Sequence, residues 1–162
     1  MRPKQREKFE SRAEISLPLP SMEIIRQRTE SPNPNKSQVR VPVDRLTLAK
    51  RRWRGVAEDG REFGFDLERP LADGATVLAD DQREYVIAQK YEPVLEVRLV
   101  QDPPTAAKLG WMIGNLHFPL EVTGDSVRVA DDSALRQMFE REGIAFAPCK
   151  RVFHPLAGGH RH

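Results

Sequence analysis

Apolar positions along this chain follow two regimes. Between Met22 and Gln89 they come in short runs that alternate with polar residues: Met22-Glu-Ile-Ile-Arg, Val39–Val43, Arg52–Ala57, Glu62–Leu67, Thr76–Ala79 and Glu84–Gln89. Runs of period two, bounded by turn formers, predict half-buried strands. Thr29–Ser37 (TESPNPNKS) is dense in turn residues and reads as a loop. Asp59-Gly60, between two of the runs, is a strong hairpin signal. Residues 22–91 therefore read as a small all-β N-terminal domain.

From Glu92 the period changes. Pro93 precedes a buried-type strand, Val94–Val100. Asp102-Pro103-Pro104 supplies a helix N-cap with proline in the first turn. Ala106, Leu109 and Ile113 then recur on one helical face, and Gly114 fits the left-handed position just past a helix end. Phe118–Thr123 and Ser126–Val129 read as strands joined at Gly124-Asp125. Asp131-Asp132 opens a second helix with Ala134, Leu135, Met138 and Phe139 as its apolar stripe, and Gly143 ends it. Ile144–Val152 is a last strand, and Pro148 marks it as an edge or bulged one. The order β-α-β-β-α-β is the split, ferredoxin-like arrangement. The expected fold is α+β: the all-β domain, then a ferredoxin-like βαββαβ C-terminal domain over residues 92–153.

Composition narrows the class. With 162 residues, 39% apolar and 31% charged, the chain can build two modest cores. No run of about 18 apolar residues exists, and MRPKQREKFESRAE lacks the apolar centre of a secretory signal. Cys149 is the only cysteine, which excludes an internal disulfide and suits a cytoplasmic protein. Residues 1–54 hold 14 Lys and Arg against 6 Asp and Glu, whereas residues 55–162 hold 12 against 18. The basic front half suits an acidic partner or nucleic acid, although charge runs are more often solvated surface. Residues 1–21 read as a disordered basic extension.

His117 stands alone in an apolar stretch, MIGNLHFPLEV, while His154, His160 and His162 sit in the last nine residues beside Gly158-Gly159. Single histidines usually cap or pack without binding anything. A lone imidazole cannot hold a metal tightly. A copy of His117 across a two-fold axis would double the ligands, and a histidine-bearing flexible tail over 154–162 could add more. At about 3.5 Å per extended residue, a tail leaving near Phe153 spans roughly 30 Å to His162. Imidazole suits nickel, copper and zinc. No thiolate cluster, paired carboxylates, His/Glu ligand pair or glycine-rich phosphate loop is present, so an enzyme is not indicated.

These residues carry a resemblance. Gly114-Asn115-Leu116-His117-Phe118-Pro119 matches the Gly-Asn-x-His-x-Pro segment of the UreE-type urease accessory proteins, which are nickel metallochaperones. LAKRRWRGVAEDGREFGFDLERPLADGATVLADD resembles the first-domain pattern of that family, and YEPVLEVR the opening of its second domain. VFHPLAGGH resembles its Phe-x-Pro-x-x-Gly end, which leads into a histidine tail. The similarity covers about residues 22–162.

The resemblance implies a peptide-binding-type first domain and a metal-binding second domain. It implies a homodimer in which two motif histidines face each other on one Ni2+, with Zn2+ or Cu2+ as substitutes in vitro. It also implies delivery to the urease apoprotein through a GTPase accessory protein. His117 takes the bridging role, and His160 and His162 become tail ligands. His154 falls where the family carries a non-histidine residue. Trp111, Met112, Ile113, Leu116 and Phe118 are candidates for the apolar dimer contact, shared with the core. The chain departs from the family at Leu116, where arginine is usual, and its tail is short, which predicts about one nickel per dimer. The rival reading is an RNA-binding ferredoxin-like module with a basic N-terminal arm. It is weakened because Val94–Val100 and Ser126–Val129 hold no aromatic residue for base stacking.

Overall fold

The computed structural model describes residues 22–29, 35–99 and 102–156. The expected extension 1–21, most of the loop's centre, Val100, and the tail histidines His160 and His162 lie outside the described residues.

The first region contains β1 (Glu23–Ile25), β2 (Ser37–Val43), β3 (Arg52–Val56), β4 (Glu62–Asp66), β5 (Thr76–Ala79) and β6 (Arg83–Gln89). All six expected strands are present, within one or two residues of the predicted ends. They form two three-stranded sheets, ordered β1-β4-β3 and β2-β6-β5. The turn at Asp59-Gly60 closes the β3–β4 hairpin, with Gly60 at φ 88° and Arg61 N–H donating to Asp59 Oδ1. Two pairings, β1 with β4 and β2 with β6, are parallel. One core fills the space between the sheets, including Val41, Phe63, Phe65, Tyr85 and Ile87. Trp53 stacks on Phe65 at 3.7 Å, and Phe63 meets Tyr85 edge-on at 5.2 Å.

A short helix, α1 (Arg45–Leu48), interrupts the all-β pattern. Its cap is Asp44, whose carboxylate accepts from Thr47 N–H at 2.8 Å and is held below its ordinary pKa by that bond. Four residues are too few for a periodic signal, though the Asp-x-x-Thr spacing marks the cap.

The second region runs β7 (Glu92–Arg98), α2 (Pro103–Asn115), β8 (Leu120–Val122), β9 (Ser126–Ala130), α3 (Ser133–Arg141) and β10 (Ala147–Arg151). The sheet order is β10-β7-β9-β8, antiparallel throughout, which is the ferredoxin-like topology. Asp102 and Asp132 cap the two helices as expected. Leu95, Val97, Val127 and Val129 face α2 and α3, meeting Leu109, Ile113, Leu135, Met138 and Phe139 in a second core. Gly143 takes the left-handed position after α3, at φ 67°. Pro148 is accommodated because β10 is an edge strand that pairs only with β7.

One helix end differs from expectation. Gly114 is not the left-handed residue after α2. It lies inside the helix, and His117 takes that conformation at φ 58°, the sole non-glycine to do so among the described residues. The helix continues because Leu116 and His117 N–H groups fold back onto the Ile113 and Gly114 carbonyls. This longer helix seats Ile113 in the core and delivers Phe118 and Leu120 to its margin.

Beyond β10 the chain crosses the sheet from one edge to the other. Phe153 is fully buried, its carbonyl accepts from the buried Gln89 amide at 2.8 Å, and its ring lies under the Arg45 guanidinium at 5.1 Å. Leu156 N–H then donates to the Leu120 carbonyl of β8 at 2.7 Å.

Candidate metal centre

α2 exists because Asp102 caps it, two prolines fit its first turn, and Leu109 and Ile113 bury one face. Its last turn carries no basic residue. The partial negative charge of its final carbonyls is thus left without a local cation and favours one placed just beyond the end. His117 occupies that place. Its imidazole is exposed, and no side-chain hydrogen bond or ion pair holds it among the described residues.

The left-handed backbone is informative by itself. It costs a residue with a Cβ about 1 kcal/mol, and histidine tolerates it better than β-branched residues do. Glycine would fit without that cost. A histidine where glycine fits at less conformational cost places an exposed imidazole just past the helix end.

The five apolar candidates around the motif separate clearly. Ile113 is fully buried in the core of its own chain, and Met112 and Phe118 are partly buried against that core. Trp111 and Leu116 stay open, 69% and 43% exposed. Both precede His117, by six residues and by one, and leave exposed apolar surface along the last turns of α2 and at its end.

Behind the motif, Glu121 joins a charged ladder across β7, β9 and β8. Arg128 Nε bonds Glu96 at 2.6 Å and Arg128 Nη1 lies 3.7 Å from Glu121. The Arg128 hydrogen bond holds the Glu96 carboxyl below its ordinary pKa, and the reciprocal bond raises the Arg128 guanidinium. Glu96 is committed to Arg128, whereas Glu121 Oε2 is buried without a hydrogen-bond partner among the described residues; both carboxylates lie on the sheet, away from the helices. Among the described residues, no group of three or more His, Cys, Asp and Glu side chains could enclose a metal by itself. Any tight site at His117 therefore draws ligands from elsewhere.

His154 lies 4.0 Å from Asp73 Oδ2, in the loop before β5. The Leu156–Leu120 hydrogen bond roots the C-terminal segment three residues from His117 in sequence. No local pattern could have signalled that anchor, since its partners are far apart in the chain and both bonding groups are backbone.

The family model described as "UreE urease accessory protein, C-terminal domain" matches residues 92–162. The urease accessory protein UreE of Cupriavidus necator is 32% identical over 120 residues, 70% of this chain and 62% of that protein. UreE 1 of Brucella suis biovar 1 is 31% identical over 127 residues, 74% of this chain and 78% of its own. UreE of Escherichia coli O157:H7 is 28% identical over 141 residues, 86% and 90% of the two chains. This chain spans less than two thirds of the Cupriavidus protein. All three are named for an accessory role and not for a catalytic one. With the motif histidine at a helix end, the ferredoxin-like sheet behind it and this degree of identity, the chain belongs to the UreE family of urease accessory proteins.

Proposed function

We propose that this protein is a cytoplasmic nickel carrier that serves urease assembly. Two chains bind one Ni2+ between their His117 imidazoles, and His160 and His162 complete the coordination. The observation that carries the reading is the exposed, left-handed His117 at the end of α2, beside the root of the histidine-bearing segment. His160 lies four residues beyond Leu156 and His162 six. At about 3.5 Å per residue, both can reach an ion at His117. Trp111 and Leu116 supply the apolar contact between chains, with Met112 and Phe118 at its margin. Ile113 supports them from the core.

The donor set suits the cargo. Imidazole is a good ligand for Ni2+, Zn2+ and Cu2+, and intrinsic affinity runs higher for copper than for nickel. Delivery of nickel therefore depends on supply and on partner contact. A site with only one imidazole per chain from the described fold exchanges its ion readily, as a carrier must. The relatives' names point to urease as the client, and the receiving partner is the urease apoprotein with its GTPase accessory protein.

Calorimetric titration of Ni2+, with molecular mass measured in the same buffer, tests this directly. One tight nickel per two chains is expected. His117→Ala and His117→Asn should both abolish it. The asparagine variant tolerates the left-handed backbone, so its loss of binding reports the imidazole and not the turn. A tight site that survives in His117→Asn, or a strict monomer with nickel bound, would sink the shared-site model. The nucleic-acid alternative has less support, because the central strands β7 and β9 present the Glu96–Arg128 ion pair where base-stacking aromatics would be needed.

A further inference from the structure

The end of the β1-β4-β3 sheet carries a cavity of about 1010 Å3 that the metal proposal does not use. Its wall brings together Arg26 and Arg28 after β1, Arg51 and Arg52 at the start of β3, and Arg69 in the loop after β4. All five side chains are exposed. Arg52 pairs with Asp66 at 2.8 Å. Among the described residues, the other four guanidinium groups have no ion pair or side-chain hydrogen bond, and Glu68 is the one further acid in the wall. The floor is apolar: Leu67 is buried, and Leu71 and Ala75 are half-buried.

Like charges at close range repel, so four unpaired guanidinium groups around one cavity are an unbalanced local field. A guanidinium presents a planar fork of donors that matches a carboxylate with two parallel hydrogen bonds. The space exceeds what one small anion fills and is at the upper end for a ligand site. The floor adds a place for an apolar side chain. No aromatic residue lines the wall, so bases would find no stacking platform.

We infer that this groove docks an acidic segment of a partner protein, with its carboxylates on Arg26, Arg28, Arg51 and Arg69 and an apolar side chain on the Leu67–Leu71 floor. The inference is independent of nickel. It gives the basic front half of the chain a use other than solvation.

The test is fluorescence anisotropy with the full chain and a labelled peptide of about ten residues alternating Asp and Glu with Leu, the length an extended segment needs to cross such a site. Binding is expected, with affinity falling steeply as salt rises. Arg28→Glu/Arg69→Glu should weaken it by about tenfold or more, while Arg28→Lys/Arg69→Lys, which keeps charge but loses the fork, should weaken it less. All four substitutions are at exposed positions, and an unchanged melting temperature would show that the fold is intact. Replacing the peptide's leucines with serine should also weaken binding. The inference is overturned if the peptide does not bind, if the charge-reversed variant binds equally well, or if a single-stranded RNA of similar length binds the groove more tightly than the peptide.

Discussion

The two cores of this molecule solve the same packing problem by different means. The first joins two small sheets through aromatic contacts, Trp53 on Phe65 and Phe63 on Tyr85. Its parallel pairings tie β1 to β4 and β2 to β6, across long stretches of sequence. The second lays two helices on one sheet, and its core is mostly branched aliphatic side chains with Phe139 among them. Helices leave ends, and a helix end can present a single side chain and a partial charge to a ligand. That is where His117 sits. The sheet end of the first region instead collects arginines from three separate segments. A helix terminus suits one point ligand, such as an ion. A sheet end suits an extended surface, such as a peptide.

The sharpest way to break this comparison is to hollow each core in turn. Phe63→Ala and Phe139→Ala remove fully buried rings, and each should cost about 3–5 kcal/mol. If the two regions are separate domains divided near Glu92, as we propose, denaturant unfolding will show two transitions, and each variant will shift one of them. A single transition shifted equally by both variants would mean that the Phe153 contacts weld the cores into one cooperative unit.

A smaller effect sharpens the role of the helix end. His117→Gly relieves the left-handed backbone and should raise stability by up to about 1 kcal/mol, partly offset by the greater freedom of glycine in the unfolded chain. Nickel binding should be lost in the same variant. Thermal unfolding measured without metal would check the first point. A clear loss of stability would assign His117 a packing role.

The smallest effect concerns the ladder behind the motif. Because the Arg128 bond lowers the Glu96 pKa, the pair stabilises the fold above the ordinary glutamate value of 4.5, and that stability is lost as pH falls through the lowered folded value. Glu96→Gln should therefore be less stable than the parent near neutral pH, by about 1 kcal/mol or less for a partly exposed pair. The gap should close in acid. Unfolding curves at several pH values would measure it, and a gap that persists unchanged into strong acid would assign the effect to packing and not to charge.

Much of this architecture is legible in local pattern. Period-two runs located the six strands of the first region, and Asp59-Gly60 located a hairpin, because alternation and turn chemistry are properties of neighbouring residues. Asp102-Pro103-Pro104 and Asp132 located the helix starts for the same reason. The motif histidine was legible too, through its isolation and through the family resemblance. Gly114 misled, because glycine is the residue best suited to a left-handed cap, yet the cap fell three residues later.

The sequence by itself determined every strand and the two long helices, though not the short α1, together with the ferredoxin-like order and the singular position of His117, since each depends on short-range periodicity and side-chain chemistry. Only the tertiary structure decided the rest. Burial of Ile113 and seating of Phe118 carried α2 past Gly114 and gave His117 the left-handed turn. Parallel pairing chose which strands became neighbours. The hydrogen bond from Leu156 to Leu120 brought the C-terminal segment back to the motif, and the folding of three segments gathered the arginines around one cavity. Each of these is a contact between residues distant in the chain, made worthwhile by apolar burial and backbone hydrogen bonding that exist only once the whole has folded.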